Sequence, residues 1–170
     1  AYIAAELGKS PLSSQNLNCS APDTGNMEVL ERIGTPEQQE TWLKPLLDGE
    51  IRSAYAMTEP HVASSDASNI ETSAVLDGDE WVINGQKIWT SGAHYSDYGC
   101  VVVRTDPKVS KHEGLSYFFL DMKSPGVEIK PIKQISGGAN FNEVYFTDVR
   151  IPDSQRLGEV GQLSLIHISE

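Results

Sequence analysis

The sequence predicts an α+β chain: a helical segment at the N-terminus, then an antiparallel β-barrel or sandwich. Three observations predict it. Apolar residues follow a helical period as far as Gly49 and change to alternation at Ser53. From Ser53 to Ile151 short apolar runs recur, with Asp77-Gly78, Asn84-Gly85, Pro125-Gly126 and Gly137-Gly138 between them. Evenly spaced strands with turns between them are the pattern of a closed or sandwiched antiparallel sheet.

The helical part is justified element by element. Ala1 to Lys9 is helix-forming but short, and is expected to be the tail of a longer helix. Ser10 to Ala21, with its Pro, Ser and Asn, is a loop. Asp23 or Thr24 is expected to cap a helix running to Ile33 through Met27, Val29, Leu30 and Ile33. Gly34 is expected to stop it by taking a positive φ. Thr35 and Gln38 form a capping box, and Pro36 stands at the first helical position, where its missing N–H is no loss. Trp42, Leu43, Leu46 and Leu47 follow on one side; Pro45 must kink or restart the helix, and Gly49 ends it.

The strands follow in order. Ser53 to Thr58, Asn69 to Leu76, Glu80 to Asn84 and Gln86 to Ser91 are the first four, with a type I′ hairpin turn at Asn84-Gly85. Tyr98 to Thr105 is apolar almost throughout and reads as a buried strand. Leu115 to Asp121, Val127 to Ile132 and Asn142 to Ile151 complete the set.

Composition narrows the function. The 170 residues carry a net charge of −11, which argues against nucleic acid and leaves an anionic ligand in need of local basic help. Cys19 and Cys100 stand in unlike contexts, with no disulfide framework or thiolate metal site. His61, His94, His112 and His167 lack metal-ligand spacing and read as loop histidines. No apolar run would cross a bilayer as a helix, and an intracellular protein is expected: bacterial cytoplasm, mitochondrion or peroxisome.

Two patches carry chemistry. Tyr55-Ala56-Met57-Thr58-Glu59-Pro60 opens a stretch that ends in Ser64-Ser65-Asp66, and Trp89-Thr90-Ser91-Gly92-Ala93 follows some thirty residues on. Small and hydroxyl-bearing residues let a backbone approach a flat polar ligand closely, and the two patches together read as a flavin site. Taken singly, Trp89 reads as a core aromatic, Thr58 and Ser91 as strand hydroxyls, and Ser64 and Ser65 beside Asp66 as a capped turn. Glu59, followed by Pro60, reads as an anchor of the turn rather than a catalytic carboxylate. Lys108, Lys111 and His112 make a basic loop that could meet coenzyme A phosphates, though a solvated loop is the simpler reading.

These motifs, in this order, resemble the acyl-CoA dehydrogenases. Ala56-Met57-Thr58-Glu59-Pro60 to Ser65-Asp66 resembles the first family signature, and Ile83 to Ser91 the second flavin-contact strand. Asn142 to Pro152 resembles the end of the middle β-domain, and Gly34 to Gly49 the helix pair leading into it. The turn from Thr58 to Asp66 is one residue longer than the common form and resembles the large branch fused in animals to a kinase-like domain. The resemblance divides the chain into part of an N-terminal all-α domain (residues 1–52), the middle β-barrel domain (53–157) and a linker toward a C-terminal α domain (158–162). Residues 163–170 look like read-through of a sequencing adapter and are set aside.

The resemblance implies a fragment of an FAD-dependent oxidoreductase of fatty acid metabolism. The β-oxidation reaction takes a proton from Cα of an acyl-CoA and passes a hydride from Cβ to flavin N5. It implies that Met57 and Thr58 serve the pyrimidine end of the ring. Ser91 would donate near N5, Trp89 would cover one face with Thr90 beside it, and Tyr55 would border the ring. Ser65, chosen over Ser64 by counting back from Asp66, would touch both cofactor and thioester chain, with Ser64 beside it at the cofactor. The catalytic glutamate would lie on a C-terminal helix, so this chain alone is expected to be inactive. An electron-transferring flavoprotein would take the electrons from a dimer or tetramer. The alternatives are an acyl-CoA oxidase or flavin monooxygenase of the same fold, or a non-catalytic β-barrel binding module.

Overall fold

The computed structural model describes residues 2–10, 12–13, 17–64, 66–109 and 111–161. Ser65, Gln162 of the linker, and the segment 163–170, set aside above, lie outside the described residues. Helices come first: α1 (Tyr2–Leu7), α2 (Asp23–Ile33), α3 (Pro36–Gln38) and α4 (Lys44–Asp48). One π turn, Gln39–Leu43, joins α3 to α4. It lies just ahead of Pro45, whose ring and missing N–H spoil the ordinary bond to Thr41. In the wider turn the Lys44 N–H donates to the carbonyl of Gln39, five residues back.

The capping box forms as the sequence indicates. The Thr35 hydroxyl accepts from the Gln38 N–H at 3.2 Å, and the Gln38 side-chain oxygen accepts from the Thr35 N–H at 3.0 Å. Gln38 also donates through Nε2 to the carbonyls of Ser154 and Arg156, at 2.8 and 2.9 Å. A helix cap is thus tied to the far end of the sheet. Two helix-end expectations need correction. Asp23 is the first helical residue, not the cap; Pro22 takes that position without a side-chain bond. The Asp23 carboxylate instead accepts from the Ser53 N–H and hydroxyl, at 2.8 and 2.6 Å. Gly34 ends α2 with extended backbone (φ −70°), and glycine is needed there because a Cβ would strike the carbonyl oxygen of Leu30.

The sheet has eight strands: β1 (Ser53–Ala56), β2 (Ser73–Asp77), β3 (Glu80–Ser91), β4 (Tyr98–Arg104), β5 (Leu115–Asp121), β6 (Val127–Ile132), β7 (Phe141–Pro152) and β8 (Arg156–Leu157). Their order is β6-β7-β3-β2-β4-β5-β8, with β1 beside β4. The β-domain fold is the expected one, but its sheet is mixed and does not close. Strand β1 runs parallel to β4, from Ser53 beside Tyr98 to Ala56 beside Val101. The polar segment after Ala56 carries the chain away to β2 instead of turning it back, so β1 and β4 meet in the same direction.

Strand β4 explains its own composition. Val101 and Val103 pack with Ala54, Phe118 and Ile151, while Cys100 and Val102 pack with Leu30, Trp42 and Phe119 on the helix side. Both faces are covered, so the strand reads as a continuous apolar run rather than an alternating one. Trp42 seals the helix side, its ring 5.1 Å from Phe119 and 6.0 Å from Tyr98.

The Asn84-Gly85 turn also needs correction. Glu80 to Ser91 is one strand, and the hairpin lies earlier, at Asp77 to Glu80, where Gly78 has φ 67°. Gly85 (φ 149°) marks a bulge against β7. A Cβ on it would stand 2.6 Å from Oγ1 and 2.8 Å from Cα of Thr72, so the glycine serves a close approach of two backbones. The strand expected from Asn69 starts at Ser73, because residues 67–69 form a 3-10 turn capped by Asp66, whose Oδ1 accepts from the Ser68 N–H at 3.0 Å. Among the described residues no helix is long and apolar enough to cross a membrane.

Replacing Gly85 by Ala is expected to destabilise the protein by about 1–3 kcal/mol through that collision. Urea unfolding monitored by tryptophan fluorescence checks it; an unchanged midpoint would mean that the Thr72 segment yields freely.

Candidate functional site

The site begins where β1 ends. Ala54 and Ala56 face the sheet core, so Tyr55 and Met57 face the helix side. The chain then bends at Thr58-Glu59-Pro60, and a buried ion pair holds the bend. The Glu59 carboxylate accepts from the Thr72 N–H at 2.9 Å, the Glu71 N–H at 2.8 Å and the Lys87 ammonium at 2.8 Å. Lys87 is fully buried, and its Nζ also donates to the carbonyl of Met57 at 3.0 Å. The Glu59 N–H donates to the Ser64 hydroxyl at 2.6 Å, closing the turn.

Both charges bear the mark of burial. It raises the Glu59 carboxyl, but the charge and hydrogen bond of Lys87, with the Thr72 and Glu71 bonds, hold it below its ordinary 4.5. Burial pushes the Lys87 ammonium down from 10.5 to about 8, against the opposing pull of Glu59.

The second patch lies on β3 just beyond Lys87. Register against β7 slips between Lys87, opposite Val144, and Thr90, opposite Asn142. Two residues stand where one would fit, and Trp89 takes the strain with φ 60°. Positive φ is a genuine outlier for so bulky a residue. The bulge is pinned on both sides. The Ile88 N–H donates to the carbonyl of Thr58 at 2.8 Å, and the fully buried Asn142 side chain donates to the carbonyl of Thr90 at 2.9 Å. The outcome is an indole that stays 54% exposed, edge-on to Phe141 at 6.2 Å.

The two patches meet in a cleft of about 270 Å³ lined by Ala21, Pro22, Tyr55, Met57, Thr58, Ile88, Trp89 and Ser91. Of the residues singled out in the sequence, Tyr55, Met57, Thr58, Trp89 and Ser91 come together there. Thr90 points into the interior and Ser64 is engaged with Glu59, so neither lines the wall. Ser65 lies outside the described residues. Glu59 is an anchor of the turn, as its place before Pro60 suggests. Ala21, Pro22 and Ile88 were not singled out. Neither was Lys87, which shares a face of β3 with buried Trp81 and Ile83; an inward lysine in an alternating strand signals a partnered charge.

A larger apolar cavity, about 400 Å³, shares Ala21, Pro22 and Tyr55 with the cleft and extends along Val29 and Ile33 of α2. Tyr55 and Tyr117 meet beside it through their hydroxyls at 3.2 Å. Burial pushes the Tyr55 phenol up to about 12 and raises Tyr117 further, so both stay neutral donors. Burial also pushes the Cys100 thiol up to about 12, which leaves it unreactive. No cluster of His, Cys, Asp or Glu suited to a metal occurs among the described residues.

The donor set suits a flat, electron-poor ring. The hydroxyls of Thr58 and Ser91 are free to turn toward the cleft, the Thr58 N–H has no acceptor among the described residues, and Trp89 offers a face. A cleft of this size takes one ring system and no more, since sites for whole drug-sized ligands span roughly 300–1,000 Å³.

Known proteins share this fold. The family model "Acyl-CoA dehydrogenase, middle domain" matches residues 54–149. The chain is 46% identical over 157 residues to "Probable acyl-CoA dehydrogenase FadE2" of Mycobacterium tuberculosis, covering 88% of this chain and 38% of that protein. A solved structure from Mycobacterium abscessus, assigned to the acyl-CoA dehydrogenases, superposes with a TM-score of 0.91 at 39% identity, covering 98% of this chain and 42% of that one. A glutaryl-CoA dehydrogenase of Mycobacterium smegmatis, solved in complex with FADH2, superposes with a TM-score of 0.71 at 28% identity, covering 82% and 35%. The chain thus spans about two-fifths of the length of these relatives.

Two outcomes follow from the ion pair. Lys87→Met leaves Glu59 buried and unpaired, and is expected to cost about 3–5 kcal/mol; Lys87→Met with Glu59→Gln recovers most of that. Denaturant unfolding of both variants checks it. In acid, the unfolded chain protonates Glu59 before the folded protein does. Its contribution is therefore complete above 4.5 and fades as pH falls below it. Melting curves from pH 6.5 to 3.5 are expected to show wild type losing its lead over Glu59→Gln; a constant lead would refute the assignment.

Proposed function

The chain belongs to the acyl-CoA dehydrogenase family, and from that premise we propose that it holds the flavin-facing wall of an FAD-dependent enzyme that oxidises an acyl-CoA thioester between Cα and Cβ. The observation that carries this reading is the convergence of Tyr55, Met57, Thr58, Trp89 and Ser91 on one cleft from strands distant in sequence. The solved relative with FADH2 supports the choice of cofactor.

FAD, when bound, supplies the hydride acceptor. The chain's own residues position and polarise. Thr58 and the amides around it serve the pyrimidine end, and Ser91 donates from the opposite strand. Trp89, held out by its strained bulge, shields one face from water. Tyr55 divides the cleft from the apolar cavity, to which we assign the acyl chain. Val29 and Ile33 give that cavity walls suited to methylenes. Ser65 is proposed to touch both cofactor and thioester.

A base for Cα is not on the cleft wall. No carboxylate lines it among the described residues, Glu59 is held in its ion pair, and Glu28 stands at the apolar cavity instead. The base is proposed to come from a C-terminal helical segment of a longer protein. That protein is proposed to be an oligomer that passes electrons to an electron-transferring flavoprotein, with residues 53–157 as its middle domain.

The full-length protein is expected to purify yellow and to bleach anaerobically on addition of an acyl-CoA it oxidises; a colourless protein would favour the binding module. Oxygen uptake with the same substrate would identify an oxidase. This chain by itself is expected to turn over no acyl-CoA. Thr58→Ala and Ser91→Ala are each expected to weaken FAD binding about fivefold, the value of one hydrogen bond near 1 kcal/mol, checked by titration of the apoprotein.

A further inference from the structure

Lys87 does more than pair with Glu59. Its ammonium reaches past the carboxylate to the carbonyl of Met57 at 3.0 Å. That carbonyl belongs to the Met57–Thr58 peptide, which is trans, since the cis peptide of the described chain is Ala21–Pro22. In a trans peptide the C=O and N–H point in opposite directions. With the carbonyl turned inward to Lys87, the Thr58 N–H points away from it, on the side of the cleft that Met57 and Thr58 line.

A cation bonded to a carbonyl draws electron density along the peptide and makes its N–H a stronger donor. In a buried place that polarisation is little screened. Lys87 is fully buried and Glu59 nearly so, with side-chain exposures of 0% and 5%. The pair is also oriented. Glu59 is anchored away from the cleft on the Glu71 and Thr72 amides, so the positive end lies toward Met57. The Met57 carbonyl satisfies a further proton of the buried ammonium, and the same bond fixes the orientation of the Met57–Thr58 peptide.

We propose that Lys87 is a positioning residue for the flavin, fixing the Met57–Thr58 peptide and polarising its N–H so that the site favours the reduced, negatively charged ring over the oxidised one. The inference rests on the FAD reading above. It assigns to a residue outside the cleft wall the task of setting how readily the bound flavin is reduced.

The test uses the full-length holoprotein with FAD and an anaerobic xanthine oxidase titration against a reference dye. Lys87→Met with Glu59→Gln removes the charge without leaving an unpaired one. It is expected to bind oxidised FAD within about threefold of wild type and reduced FAD at least tenfold more weakly. Each tenfold loss of reduced-state affinity beyond any loss of oxidised-state affinity is a fall in two-electron potential of about 30 mV. Ser64→Ala is the structural control. It breaks the bond that closes the same turn and leaves the Lys87 charge in place, so it is expected to lower the melting temperature and leave the potential unchanged. A double variant that binds FAD at the wild-type potential would overturn the proposal, as would an equal fall in Ser64→Ala. Should the double variant fail to fold, infrared difference spectra of isotope-labelled FAD on wild type decide. A pyrimidine carbonyl stretch below its value in water agrees with the polarised donor, and an unshifted one overturns it. Absence of FAD binding by wild type would refute the function itself, a failure distinct from these.

Discussion

The buried pair of Glu59 and Lys87 is the interaction on which the rest of this structure depends. Two charges taken out of water are costly to hold unless each finds further partners. Here the carboxylate takes two backbone amides from the start of the next segment, and the ammonium takes a backbone carbonyl from the end of β1. One pair thereby fixes three stretches of chain: residues 57–59, residues 71–72 and the middle of β3. Those stretches include both halves of the cleft. Removing either charge would leave the other buried without its partner and loosen the site at the same time.

The same arrangement explains why the strained element lies where it does. A tryptophan at positive φ persists only where its surroundings overdetermine it. Lys87 holds β3 two residues before Trp89, the carbonyl of Thr58 takes the Ile88 N–H, and the buried Asn142 side chain donates to the carbonyl of Thr90 one residue after it. The bulge turns Trp89 out of the core while Thr90 stays in. Without it, the period-two rule would send the indole inward or reverse every side chain beyond it.

The legible parts of the sequence were those governed by short-range chemistry. Thr35, Pro36 and Gln38 announced a helix start, Pro45 a restart, and Leu115 to Asp121 and Val127 to Ile132 appeared as strands at the stated limits. The Asn84-Gly85 pair misled for a physical reason. Its turn propensity is local, but Gly85 answers to Thr72 across the sheet, which no short window contains. The parallel pairing of β1 with β4 was equally hidden, because alternation reports which face is buried and not the direction of the neighbour. At the site, motif order brought five wall residues together in advance. Pro22 and Ala21 escaped because a loop before α2 has no periodicity to read.

Lys87 shows the difference most sharply. Its position on β3 matches the inward face of Trp81 and Ile83, so alternation alone places a charge in the core. Inward charges need partners, and Glu59, followed by Pro60 in the bend after β1, was already marked as an anchor. The two readings were available separately, and only the fold joins them at 2.8 Å. A residue outside the cleft wall can in this way govern the backbone that lines it. The chain's most informative charge lies behind its site, where it orients the peptide that the ligand would meet.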